Sequence, residues 1–198
     1  MFTHENYEIL LEHFRQRDFM IYQIMKKHGY VKPPPQRNIF AVLIGSIIGQ
    51  RIRFTKARQL RGKLYTCLET DDFTPDDILN LGQDGLLSLG MSQIQSDVIM
   101  RVTNHIINEQ ILLNPEQIRE LGSVKGIGPW TINCTNLMFS LNEDDDSFDD
   151  LLLDTDLIIK RGIKALYANL NKSQMAEVVE NWKPHRGIVT WYIWKEFT

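Results

Sequence analysis

Residues 121–133, LGSVKGIGPWTIN, place a Gly-Ile-Gly turn, Gly126 to Gly128, between two helical stretches, so the chain must contain helices that meet at a tight corner. Glycines at such a corner remove the Cβ clash, and the helix that follows begins with amides that have no intrahelical partner. Its dipole adds partial positive charge, so the corner favours an anion, and a DNA phosphate is the natural ligand. About two dozen residues downstream, Asp154 and Asp156 stand just ahead of an apolar helical run, LIIKRG. A phosphate-gripping corner and a nearby acid point to chemistry on DNA.

The rest of the chain reads as helices. Apolar positions recur at helical spacing over residues 4–28, ending at His28-Gly29, and three consecutive prolines, Pro33 to Pro35, then impose an extended connector. Residues 38–49, NIFAVLIGSIIG, are apolar almost all round, which predicts a central helix packed on several sides. Further helices follow Thr74, with Asp76 and Asp77 in the first turn, and Ser92. Another is expected after Asn114 as cap, with Pro115 at the first helical position and Gly122 at the stop. No segment alternates apolar and polar residues for long, so the fold class is all-α.

Charge is unevenly spread. The net charge is −3, yet residues 51–63, RIRFTKARQLRGK, carry six basic side chains and no acid, and residues 143–150, EDDDSFDD, carry six acids and no base. The basic stretch offers local phosphate contacts, or is an ordinary solvated helix face; the acidic one reads as a hydrated loop. With 198 residues, one compact unit of two small lobes is expected. No run approaches the roughly 18 apolar residues of a membrane helix, and the N-terminus carries acids where a secretory signal would be basic, so an intracellular location is expected and no membrane partner. Cys67 and Cys134, far apart in apolar helical surroundings, read as two buried reduced thiols.

GIGPWT, then DLIIKRG, then Trp182-Lys-Pro-His-Arg186 and a closing Trp194, in that order, resemble the helix-hairpin-helix DNA glycosylases from about Pro34 to the C-terminus. Within that superfamily the chain most resembles the 3-methyladenine-DNA glycosylase II branch, without its N-terminal β-domain, for which there is no room. The resemblance implies one two-lobed domain over residues 1–198. One lobe is formed by residues 1–37 and 134–198 and the other by residues 38–133, with the hairpin at about 117–133 and a DNA-facing cleft between the lobes. It implies a monomer acting on double-stranded DNA that contains a damaged base.

The family pattern also distributes roles. A carboxylate stabilises the oxocarbenium-like transition state of N-glycosidic hydrolysis and orients the attacking water. Alignment on DLxxK/RxG puts it at Asp156, and alignment on the endonuclease III pattern puts it at Asp154. Asp156 is favoured, leaving Asp154 or Thr155 to cap the following helix. Strand-cutting relatives carry a Schiff-base lysine two residues after the second hairpin glycine. Trp130 stands there, so a monofunctional enzyme that needs no cofactor is implied. Trp130 and Trp194 match aromatic base-pocket positions, and an indole face suits cationic alkylated purines.

Cys134 and Lys195 depart from the aromatic residues expected at their positions. Gly126, Gly128, Lys125, Thr131, Gln50, Arg51 and Arg53 are the implied DNA contacts, with Arg51 either filling the gap left by the flipped base or holding a phosphate. Carbonyls of Gly122, Val124 and Ile127 would bind a monovalent cation. The four-cysteine iron–sulfur cluster of some relatives cannot form, since no cysteine follows Cys134. The rival reading is a non-catalytic module that binds lesions or DNA structures.

Overall fold

The computed structural model describes residues 2–32, 37–141, 150 and 155–198. Among them only helices occur: α1 (His4–Arg17), α2 (Phe19–His28), α3 (Ile39–Gly49), α4 (Phe54–Leu68), α5 (Pro75–Ser88) and α6 (Gln93–Asn108), then a 3-10 helix (Gln117–Ser123), α7 (Pro129–Ser140), α8 (Leu157–Leu166), α9 (Lys172–Asn181) and α10 (Arg186–Phe197). None is long and apolar enough to cross a membrane. The triple proline and most of the acidic run lie outside the described residues.

Two units are distinguished, Gln36–Phe139 and Met1–Pro35 with Ser140–Thr198. The first takes in nearly all of α7, because a continuous helix is not divided at Asn133. It is built around α3, where nine of eleven residues are buried. Ile44, Ile47 and Leu43 are inaccessible, and they pack with Leu60 and Leu64 of α4, Ile78 and Leu86 of α5, and Ile99 and Val102 of α6. Each such aliphatic chain contributes about 1.5–3 kcal/mol on burial.

Caps set the element boundaries. Asn38 accepts from the Ala41 amide at the start of α3. Thr74 and Asp77 form a capping box at α5, and Ser92 and Gln95 form another at α6. Asn114 differs from expectation. Its side chain accepts from the amides of Glu116 and Gln117, a tight turn, and the chain continues as a 3-10 rather than an α-helix. Cys67 also departs from its reading: it lies on the outer face of α4 and is exposed, whereas Cys134 is buried.

In the second unit the apolar run 4–28 is broken at Asp18, which ends α1 and caps α2 through the Met20 and Ile21 amides. Its second oxygen accepts from the Tyr167 hydroxyl at 2.6 Å and the Trp182 indole at 2.8 Å. Burial and the Asp18 carboxylate push the Tyr167 hydroxyl far above its ordinary pKa. Trp182, fully buried, is therefore a structural anchor. Helix α10 is tied to α2 by Glu196, which receives Lys27 at 2.7 Å and His28 at 2.6 Å. A Cβ on Gly162 of α8 would lie 2.5 Å from Ile193 Cγ2 and 3.0 Å from Phe197 Cδ2, so α8 and α10 meet where only a glycine fits.

Gly162→Ala is expected to destabilise the protein by about 1–3 kcal/mol in chemical denaturation, the overpacking cost exceeding the gain in helix propensity. A second expectation concerns pH. The His13 and His185 rings meet edge to face at 5.1 Å, and both pKa values are held below the usual histidine range. Burial is the main cause, with Arg17 assisting at His13 and the His13 ring at His185. Depressed folded-state values mean that the unfolded chain protonates first as pH falls, so this stability is whole above about pH 6.5 and declines below it. Denaturation midpoints measured between about pH 7 and pH 5 should fall, and His13→Phe should flatten that slope.

Candidate active site

The hairpin closes through one hydrogen bond, from the Ile127 amide to the Val124 carbonyl at 2.9 Å. Gly126 at its apex has φ +103°, and a Cβ there would lie 2.4 Å from Val98 Cγ2 of α6. Conformation and contact both demand glycine. Gly128 is different, since nothing lies within 4 Å of where its Cβ would be, so the backbone before α7 can be approached closely. Pro129 then opens α7, where a missing amide costs nothing.

The Gln50 side-chain amide donates to the Gly126 carbonyl at 3.0 Å and to the Thr131 hydroxyl at 2.8 Å. It therefore locks the end of α3 to the hairpin. Thr131, expected to face DNA, has a buried side chain, because the first turn of α7 turns its hydroxyl toward Gln50. Lys125 is exposed, and its carbonyl accepts from Arg101 at 2.6 Å. No motif pointed to Arg101, which reaches the hairpin from α6, 24 positions away.

Arg51 directly follows, exposed and with φ +56°. A side chain in the left-handed region is strained, and such strain concentrates where a residue is presented to a ligand. Arg53 precedes α4, exposed and making no capping bond. Lys56, Arg58 and Lys63 are also exposed, but Arg61 turns inward and is half-buried. Trp130, half-buried on α7, directs Cη2 toward α3, to 3.7 Å from where a Cβ on Gly49 would be.

Asp156 and Trp194 belong to the other unit. Asp156 is only 6% exposed, and its Oδ1 accepts from the amides of Ile158 at 2.7 Å and Ile159 at 3.0 Å. The cap of α8 is thus Asp156 itself, where the sequence reading assigned that task to Asp154 or Thr155. The pattern of acids could not decide this, because either could start the helix; Asp154 lies outside the described residues. Two amides on one oxygen fix the plane of the carboxylate, which a positioned acid requires. Trp194 is half-buried on α10, followed by the exposed Lys195.

No family model matches the chain. Among curated proteins it is similar to DNA-3-methyladenine glycosylase 1 of Schizosaccharomyces pombe, at 27% identity over 165 residues that cover 77% of this chain and 70% of that one. The S. pombe 3-methyladenine DNA glycosylase solved in complex with abasic DNA superposes with a TM-score of 0.75 at 24% identity, over 93% of this chain and 94% of that one. The chain belongs to the helix-hairpin-helix DNA glycosylase superfamily. A Clostridium acetobutylicum 8-oxoguanine glycosylase/lyase, in complex with double-stranded DNA, shares the fold with a TM-score of 0.71 at 15% identity, over 96% of this chain and 69% of that one. Two chemistries thus occupy one superfamily fold, and individual residues must distinguish them.

Within this glycosylase fold the Gln50 clamp makes a local prediction. Gln50→Ala deletes both of its bonds and leaves the Thr131 hydroxyl buried without that donor, a loss of about 1–3 kcal/mol. Hydrogen exchange should quicken over Gly126 to Thr131 before it quickens in α3; unchanged exchange there would show that the hairpin stands without the clamp.

Proposed function

We propose that this protein is a monofunctional DNA glycosylase that hydrolyses the N-glycosidic bond of damaged bases, alkylated purines foremost, in double-stranded DNA. The observation that carries the reading is the buried, doubly anchored carboxylate of Asp156 at the head of α8. The names of its relatives support it, since the S. pombe protein is a DNA-3-methyladenine glycosylase. Its location would be wherever the cell keeps DNA.

The proposed mechanism begins at the hairpin. Backbone amides at the start of α7 and the exposed Lys125 hold a phosphate, while Arg51 and Arg53 engage the strand at the far side of Gln50. The carbonyls of Gly122, Val124 and Ile127 would hold a monovalent cation against the phosphate. Val124 gives one lone pair to the Ile127 amide and retains the second, so the set is chemically suited. Arg51, presented from its strained backbone, enters the stack as the damaged base leaves it, and Trp130 and Trp194 supply faces for that base.

Cleavage of the C1′–N bond sends its electron pair to the base and leaves positive charge on the sugar, which the Asp156 carboxylate stabilises. Water then adds at C1′ and loses a proton, giving the abasic site. Trp130 in place of a lysine removes the amine that strand-cutting relatives use, so water is the nucleophile.

Asp156→Asn tests this cleanly, because asparagine caps a helix as well as aspartate and removes only the charge. Single-turnover release of base from methylated duplex should fall by about 10²–10³ or more while the melting temperature stays within a degree or two. Undiminished release from the variant would transfer the role to another acid. Absence of release from the wild-type protein, with lesion binding intact, would favour the non-catalytic module. Borohydride should trap no covalent protein–DNA adduct, and a trapped adduct would contradict hydrolysis by water.

A further inference from the structure

Arg61 is a half-buried cation without a carboxylate. Its Nη1 donates to the Gly45 carbonyl at 3.2 Å, and its guanidinium lies 5.9 Å from the centre of the Phe54 ring. The ionisable groups that act on it are Tyr65, Cys134 and Arg37, none of them an acid at neutral pH. Burial accordingly draws its pKa below the ordinary arginine value. Ion-pairing with an acid would relieve a buried charge most directly, and the described residues around it supply none.

The placement explains what it faces. Gly45 and Gly49, one helical turn apart on α3, open a face onto which both Arg61 and Trp130 pack. A Cβ on Gly45 would lie 3.3 Å from Arg61 Cδ; one on Gly49 would lie 3.8 Å from Arg61 Nη1 and 3.7 Å from Trp130 Cη2. The guanidinium therefore flanks the indole that the proposed function makes a stacking face for the extruded base. Cys134, one turn beyond Trp130 on α7, stands where the family resemblance expects an aromatic ring, and its smaller side chain leaves Arg61 room there.

We infer that Arg61 is a specificity-determining residue of the base pocket, donating hydrogen bonds to the acceptor edge of a neutral damaged purine and disfavouring bases that carry a positive charge. This rests on the glycosylase reading and narrows its substrate range. An arginine fork matches the O6 and N7 acceptors of an oxopurine, which hypoxanthine presents. A 7-methylguanine has lost N7 to the methyl group and carries a formal positive charge, and 3-methyladenine in DNA is likewise cationic. The indole alone would attract such bases, but a fixed guanidinium beside it opposes them.

The test compares wild type, Arg61→Gln and Arg61→Lys, each checked for fold by circular dichroism. Duplexes carry one hypoxanthine or one 7-methylguanine nucleotide with a 2′-fluorine that resists hydrolysis, and Kd is measured by fluorescence anisotropy. The wild type should favour hypoxanthine. Arg61→Gln should shift the Kd ratio toward 7-methylguanine by about tenfold, the scale of one charge contact at a partly solvated site. Arg61→Lys, which keeps the charge and loses the fork, should still disfavour 7-methylguanine.

A ratio equal in wild type and Arg61→Gln, or no preference for hypoxanthine in the wild type, overturns the inference. If Arg61→Gln is unfolded, the Arg61→Lys and wild-type ratios decide: loss of discrimination in both overturns it. Base release from the unmodified duplexes is read separately. An Arg61-dependent ratio without release would sink the glycosylase reading alone, whereas release with an Arg61-independent ratio would sink this inference alone.

Discussion

A helix that is apolar on every side can be buried on every side, but its last carbonyls then have no water to turn to. This constraint shapes the middle unit. Helix α3 is such a helix, and side chains from its neighbours reach its C-terminal half: Gln95 of α6 donates to the Ile48 carbonyl at 2.9 Å, and Arg61 of α4 donates to that of Gly45. The Gln50 amide turns back to the Ile47 carbonyl. An unpaired buried carbonyl would cost about 1–3 kcal/mol, so these polar contacts are conditions for burying α3 at all.

From that end of α3 the candidate site follows. Once Gln50 has used its backbone to finish the helix, its side chain is free to reach Gly126 and Thr131, and the hairpin inherits the rigidity of the core. The next residue cannot continue the helix, and its φ of +56° sends the Arg51 side chain outward. Rigid support under an exposed, strained residue is what a group that enters a base stack would need, since each degree of freedom already frozen lowers the cost of binding.

Much of this was legible in the sequence because it rests on short-range chemistry. Thr74 and Ser92 announced their helices, and NIFAVLIGSIIG announced its burial, since capping and all-round apolarity are local properties. The hairpin glycines were legible for the same reason. What escaped the reading depends on distant packing. The direction of Thr131 is set by Gln50, 81 positions earlier; Asp18 is claimed by Tyr167 and Trp182 from the far end of the chain. The inward turn of Arg61 is invisible in a run of six basic residues, whose composition reads as a solvated face.

Asp156 shows why one sequence position resists division into structural and chemical roles. Its Oδ1 is held by two amides of α8, a contact that would be expected of any capping aspartate. Arg61 is the complementary case, because no structural task of comparable value accounts for it. One hydrogen bond to a carbonyl and a distant aromatic ring are modest returns for a guanidinium taken out of water. A residue that meets its structural requirement can be understood without a ligand; a buried charge that does not meet it is better understood with one. The asymmetry places the chemistry of bond breaking on Asp156 and the choice of base on Arg61.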